Sequence, residues 1–375
     1  MKVLYFSRDY TPHDYRFLSA IHAIGHQVSY LRLTDARRNL ENRALPVGVE
    51  IIDWQWGKGQ FEESEADVVR AALQQIARQI KPDVVHSGPL PDCSWLVAEA
   101  GLHPHVAMSW GFDLMHDIHV DPQAKERSRV ALEQADWFLG DCFVERDTAA
   151  ELGLNPRHAT IFPWGINPAV VKAGPSKMRT KLADENDFLM ISTRSLEPNY
   201  DVATTLQAFL IAAAQEPALK MLILADGSQK EKLHAIAAAA DSAIQQRIIW
   251  IERVPNPEIV DYYRSADLYI SSSITDGSSV SLLEAQACEL PVLVSAIPGN
   301  REWVQEGVTG FLFETGNIAQ LAEKMLWCYR NRDKMGAVRA AARRQIETRA
   351  DWDKNKFRLN EAYEQAIAVW KSKGK

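Results

Sequence analysis

Residues 271–304 read "SSSITDGSSVSLLEAQACELPVLVSAIPGNREWV". A short β-rich opening passes through Asp276-Gly277-Ser278-Ser279 into a helix-forming run that carries Glu284. Pro291 then leads into a second apolar strand that closes at Pro298-Gly299-Asn300. A strand that turns into a helix on small residues lets a ligand approach the backbone closely. The first free N–H groups of that helix point outward with the positive end of its dipole. This is an anion site of a size for a phosphate or diphosphate, with Gly277, Ser278 and Ser279 at the turn. Asp276, just before the helix, is placed to accept from sugar hydroxyls beside the diphosphate. Glu284, further along the helix, can accept from two neighbouring hydroxyls of a ribose. The plain alternative is an N-cap serine followed by an ordinary helix glutamate.

The rest of the chain gives this junction a setting. At 375 residues it is long for one hydrophobic core and comfortable for two. Hydrophobic residues at 46% and charged residues at 24% are ordinary for a globular protein. A formal net charge of −7 leaves no basic excess to neutralise phosphates, which argues against a nucleic-acid partner. Of two local basic clusters, "DARRNLENR" (35–43) and "AVRAAARRQIETR" (337–349), the second reads as the solvated face of a helix, and any membrane contact is at most peripheral. Cys93, Cys142, Cys288 and Cys328 are widely spaced, which suits free thiols in a reducing compartment. The opening "MKVLYFSRDY" has too short an apolar run for a signal peptide, and no stretch approaches 18 uninterrupted apolar residues. The expected location is cytoplasmic.

Short apolar, β-branched runs alternate with helical-period segments along the chain. Strands are expected at 2–7, 27–33, 49–54, 83–87, 105–110, 136–141 and 159–164. A second series is expected at 187–192, 219–226, 248–252, 268–273 and 291–296. Helices are expected at 14–25 and 66–80, then near 200–215, 229–241, 256–266 and 279–288. Runs this short and this apolar read as parallel strands covered on both faces. The polar stretch 167–186 separates the two series and reads as a linker. The expected fold is therefore α/β with two doubly wound Rossmann-like domains, 1–168 and 169–354. The amphipathic segment 351–371 reads as a closing helix. Ligands in such sheets sit beyond the carboxyl ends of the strands, so two facing crevices make an inter-domain cleft for two substrates.

Here the sequence resembles the retaining nucleotide-sugar glycosyltransferases of family 4, which have the GT-B fold. Their mark is a pair of acidic residues kept here as Asp276 and Glu284, followed by "EAQACELPVLVSAIPGNREWV". The resemblance implies that Asp276 contacts the donor sugar, that Glu284 holds the ribose, and that the amides at Ser278 to Val280 hold the diphosphate. Asp276 stands where Glu is usual, Glu289 where Gly is common, and Asn300 where the second glycine of a Gly299-Asn300 pair is common. "STRSLEPNYDVATTLQAF" (192–209) looks like the family's strand and loop that carry an Arg and then a Lys for the diphosphate. Arg194 is present, and Asn199 or Tyr200 takes the Lys position. The stretch 248–273 resembles the one that reads the base, around Arg253 and Val254, and Glu302 matches the acid after the glycine-rich turn. The family's architecture also implies that the closing helix, about 355–375, packs back on the first domain.

The first half resembles the family less closely. "SRDYTPHDYRF" (7–17) lacks the usual paired glycines of the first loop and carries His13-Asp14. "SWGFDLMHDIH" (109–119) looks like the strand end of the acceptor domain, with Trp110 where the family often has a His, then Gly111 and Asp113. His116 or His119 lies near enough to substitute for the absent His. "HDIH" with Asp113 and Asp117 lacks a third ligand at metal spacing and reads as polar lining, so no metal is expected. The chain has neither a P-loop nor a complete dinucleotide fingerprint. The implied activity is retaining, metal-independent transfer of a hexose-type unit from a UDP-, GDP- or ADP-sugar to a hydroxyl acceptor. That acceptor is a glycan, a lipid or a small molecule, and no cofactor is expected. Nucleotide-sugar epimerisation and non-catalytic nucleotide-sugar or glycan binding are the alternatives.

Overall fold

The computed structural model describes residues 1–35, 41 and 43–374, with the side chains of 256 and 257 set aside. Most of the basic cluster at 35–43 therefore lies outside the described residues. The chain divides into two compact units, Met1–Pro163 with Asp353–Lys375, and Trp164–Trp352.

The first unit holds seven parallel strands: β1 (Lys2–Ser7), β2 (Gln27–Arg32), β3 (Val49–Ile51), β4 (Val84–Gly88), β5 (His105–Met108), β6 (Trp137–Gly140) and β7 (Ala159–Ile161). Their spatial order is β3-β2-β1-β4-β5-β6-β7. Ser7 at the end of β1 pairs with Arg32 on one side and Gly88 on the other. The order reverses between β1 and β4, so a crevice opens at their carboxyl ends. The Arg358–Ser372 helix belongs to this unit. Its buried Tyr363 hydroxyl bonds His86 Nδ1 at 2.8 Å, and Arg358 donates to the Ile161 carbonyl at 2.6 Å. Burial drives the His86 pKa down to about 3, so the ring is a neutral partner for Tyr363.

The second unit holds six: β8 (Phe188–Ser192), β9 (Leu219–Leu224), β10 (Ile248–Ile251), β11 (Leu268–Ser271), β12 (Val292–Ser295) and β13 (Phe311–Phe313), in the order β10-β9-β8-β11-β12-β13. Alternate side chains feed two cores. Phe188 and Met190 pack with Phe209, Leu268 and Ile270 on one face; Leu189 and Ile191 pack with Tyr269, Leu282 and Val292 on the other. Each such side chain contributes about 1.5–3 kcal/mol when fully buried, which explains why these strands lack polar alternation. The switch point lies between β8 and β11. It brings the loop after β8, with Arg194, beside the loop after β11, with Asp276 to Ser279.

Three readings of the sequence need correction. Residues 167–186 are not a free linker: Ser176 Oγ donates to the Asp261 carbonyl at 2.9 Å, and Arg179 pairs with Asp267 at 2.7 Å. The segment is polar because it runs over the surface of the second unit, not because it hangs between two bodies. The strand Phe311–Phe313 was too short to stand out by composition. The closing segment is also broken, into a turn at Trp352–Asn355 and the longer helix from Arg358. Among the described residues no helix is long and apolar enough to cross a membrane.

Candidate functional site

The decisive junction forms as its residue types require. The Val280–Ala287 helix starts on Ser279, and its first intrahelical bond runs from Leu283 N to the Ser279 carbonyl at 3.1 Å. The N–H groups ahead of Leu283 have no intrahelical acceptor, and the dipole adds positive potential there. At its far end the chain turns left-handed at Glu289, φ 58°, while Leu290 N bonds back to the Ala285 carbonyl at 3.0 Å. That geometry explains why glycine suits the position. Gly299 has a different reason for being glycine. A Cβ there would lie 2.4 Å from the Asp276 carbonyl oxygen, so the turn after β12 packs directly beneath Asp276-Gly277.

Arg194 reaches this junction from the loop after β8. Its Nη2 lies 2.7 Å from Asp276 Oδ2, and its Nη1 donates to the Ser279 hydroxyl and, at 3.0 Å, to that of Ser281. The guanidinium carbon sits 3.9 Å from the centre of the Tyr200 ring, a cation–π contact. Arg194 is 8% exposed, and its Nε has no acceptor. Burial works most strongly on the guanidinium and against its charge, but Asp276 together with Tyr200, Tyr269 and Tyr263 outweighs it and holds the pKa above the usual value. Burial pushes the Asp276 carboxyl up; Arg194, the Gly277 N–H and the Ser279 hydroxyl pull the other way.

Glu284 lies one side of the same helix and accepts from the Tyr263 hydroxyl at 3.0 Å. That hydroxyl also meets Thr193 Oγ1 at 3.0 Å, next to Arg194 in the chain. Ser278 Oγ accepts from Trp303 Nε1 at 3.0 Å, and Ser281 Oγ shares a hydrogen bond of 2.8 Å with Tyr269. The sequence reading missed Ser281, Tyr263, Tyr269, Thr193 and Trp303. Ser281 carried a local signal, since it follows Ser279 by two residues inside the anion turn. The tyrosines arrive from other elements, and nothing in their own neighbourhoods marks them.

The remaining donor-side residues divide. Asn300 is 2% exposed and gives its amide to the Ser295 carbonyl at 2.9 Å, so its side chain braces the turn after β12. Arg253 and Val254 follow β10; Arg253 is exposed and Val254 packs partly against the core. Glu302 ends the short Pro298–Arg301 helix, and its carbonyl accepts from Arg349 at 2.8 Å.

In the first unit the acids are used by the fold. Asp14 closes a capping box: it accepts from Thr11 N at 2.8 Å and from the Thr11 hydroxyl, and Tyr5 donates to its other oxygen at 3.2 Å. Burial lifts its pKa to about 6, and burial likewise lowers that of His13 to about 4. Asp113 accepts from Ser109 Oγ at 2.6 Å and from the N–H groups of Leu90, Trp110 and Leu114 at 3.0–3.1 Å. With both oxygens occupied, neither Asp14 nor Asp113 offers its carboxylate outward. His13 and Trp110 do come together, their rings 6.2 Å apart, and Trp110 Nε1 is buried without an acceptor. Gly111 adopts φ 81°, and His116 stacks on Phe112 at 4.4 Å. One cluster went unread: the carboxylates of Asp141 and Glu145 and Cys142 Sγ lie within 4.8 Å of one another after β6. Glu145 is fully buried and accepts from Asp141 N at 3.0 Å, with its pKa pushed well up by burial and by the Asp141 charge.

Residues 175–345 match the family model described as glycosyl transferases group 1. The match spans most of the second unit. The D-inositol 3-phosphate glycosyltransferase of Thermobispora bispora is 27% identical over 312 residues, 76% of this chain and 71% of that protein. D-inositol 3-phosphate glycosyltransferase 1 of Catenulispora acidiphila is 27% identical over 77% of this chain and 72% of its own. Among solved structures, HepE of Anabaena in complex with UDP-glucose aligns with a TM-score of 0.78 at 19% identity, covering 99% of this chain and all of that one. Sucrose-phosphate synthase of Thermosynechococcus elongatus aligns at 0.80 with 14% identity, over 98% of this chain and 100% of its own. At such identities the structural likeness speaks to fold, and the fold is GT-B. The chain is a glycosyltransferase, as the acidic pair and its anion junction led the sequence to suggest.

Proposed function

We propose that this glycosyltransferase moves a hexose-type unit from a nucleoside diphosphate sugar to a hydroxyl acceptor, with retention at the anomeric carbon and without a metal ion. The observation that carries this reading is Arg194 lying against the open N-terminus of the Val280–Ala287 helix, with Asp276 and Glu284 on either side. As the sugar–phosphate bond breaks, negative charge gathers on the leaving diphosphate. A fixed guanidinium and helix N–H groups supply the counter-charge with no reorganisation at the moment of reaction, and losing one such donor costs about 3 kcal/mol. Glu284, oriented by Tyr263, holds the ribose, and Asp276 holds the sugar. Front-face displacement fits this arrangement, with the leaving phosphate oxygen taking the acceptor's proton. The unpartnered indole N–H of Trp110 and the neutral His13 beside it form the acceptor side of the first unit. The four cysteines, all free and buried, support a cytoplasmic location.

The test is incubation with radiolabelled UDP-, GDP- and ADP-sugars in the presence of a chelator, with D-inositol 3-phosphate among the acceptors because the relatives' names specify it. The expected result is transfer that survives chelation and gives a product with the donor's anomeric configuration, read by proton NMR. An inverted product, or transfer abolished by the chelator and restored by a divalent cation, sinks this mechanism.

A further inference from the structure

The Arg194 fork is only partly used. Nη1 gives its hydrogens to the Ser279 and Ser281 hydroxyls, and Nη2 faces Asp276 Oδ2. Nε is buried and has no acceptor. Nε and Nη2 together form the edge of a guanidinium that grips an oxyanion through two parallel bonds. Asp276 holds that edge through one oxygen, and that oxygen forms no well-directed hydrogen bond, so the pairing is one of charge rather than of fit. The Tyr200 ring against the guanidinium face and the two serines on Nη1 keep the fork from turning to improve the match. A diphosphate offers several oxygens to the same edge and satisfies both nitrogens.

We propose that Asp276 and the donor's diphosphate compete for Arg194, so that diphosphate binding displaces the carboxylate and frees it to accept from the sugar. This rests on the reading of the junction as a nucleoside diphosphate sugar site. A nucleotide sugar repays the displacement, because the released carboxylate finds sugar hydroxyls. A nucleoside diphosphate alone does not, since Asp276 is left without its cation. The sugar thus favours its own retention. Once it has been transferred, Asp276 returns to Arg194 and helps expel the diphosphate product. Asp276 thereby links recognition of the sugar to release of the product.

A double-mutant cycle measured by calorimetry tests this, with UDP, GDP and ADP as probes and the free nucleosides as controls. Asp276→Asn is expected to tighten binding of the diphosphate that the wild type prefers by at least about threefold, without changing nucleoside binding. In an Arg194→Gln background that gain is expected to vanish. If Arg194→Gln does not fold, Arg194→Lys, which keeps the charge and removes the fork, is expected to shrink the gain. No gain in Asp276→Asn overturns the competition; a gain of equal size in both Arg194 backgrounds overturns it as well and leaves simple like-charge repulsion. Failure of the wild type to bind any of the three diphosphates overturns the site reading beneath it, a result distinct from either of these.

Discussion

The strand ends of the two units use their charged residues in opposite ways. In the second unit Arg194 pairs with Asp276 beside the N-terminus of the helix that carries Glu284, and Arg194 Nε has no acceptor. In the first unit Asp14 and Asp113 are spent on the backbone, one on a helix cap and the other on four donors around the end of β5. A carboxylate at a strand end is therefore no guide to chemistry until its oxygens have been accounted for. What remains in the first unit is aromatic: half-buried His13 and Trp110, whose indole N–H has no acceptor. On the proposed function, the donor side is built on charge and the acceptor side on shape and hydrogen bonding.

Substitutions can break that contrast. The largest effect is expected from Arg194→Ala, which should lower kcat/KM for the nucleotide sugar by roughly a hundredfold to a thousandfold while the protein stays folded, measured by steady-state transfer. Asp113→Ala should do the reverse. It strands Leu90, Trp110 and Leu114 N–H groups and is expected to cost about 3 kcal/mol in stability, read as a lowered denaturation midpoint, with nucleoside diphosphate affinity unchanged. Equal damage to nucleotide affinity from Asp113→Ala would erase the distinction between the units. Glu284→Ala is expected to weaken nucleotide binding by about tenfold, the worth of a charge-assisted hydrogen-bond pair, with a smaller effect on kcat. Tyr263→Phe removes only the hydroxyl that steers Glu284, and should raise KM a few-fold at nearly constant kcat.

The smallest effect concerns pH. Asp14 is raised to about 6 in the fold, so it binds its proton more readily than the unfolded chain does, and its contribution to stability falls as pH rises from about 4 to 6. His13 is lowered to about 4, so the unfolded chain binds the proton more readily there, and its contribution rises over the same window. The two neighbours oppose each other. Relative to the wild type, His13→Gln should make stability fall more steeply with rising pH between 4 and 6, and Asp14→Asn should make it rise. Chemical denaturation at several pH values reads both slopes, and variants that leave them unchanged would show that neither group carries its shift.

The sequence exposed the second unit well because each of its signals is local. Strands buried on both faces are bare apolar runs, and Asp276 to Glu284 is a single continuous strand–turn–helix. Arg194 is marked in the sequence by the resemblance of 192–209 to the family's strand and loop, and the fold explains its place, since the switch point puts the loops after β8 and β11 side by side. What stayed hidden is what arrives from elsewhere in the chain. Tyr263 comes from the helix two elements before that of Glu284 in the chain, with no motif of its own, and Trp303 comes from beyond β12 to meet Ser278. Asp14 and Asp113 misled for the same reason: a residue type at a strand end does not show which backbone groups it satisfies. Residues 167–186 looked like a linker because surface loops and linkers share a composition.

The most direct measurement is a crystal structure of the protein with UDP, GDP or ADP, whichever binds most tightly. The account expects the two phosphates on the Arg194 Nε–Nη2 edge and on the N–H groups that open the Val280–Ala287 helix. It expects the ribose hydroxyls on Glu284 and Asp276 turned away from Arg194. A nucleotide bound at another place, or a diphosphate bound here while the Arg194–Asp276 pair stays closed at its 2.7 Å separation, contradicts it.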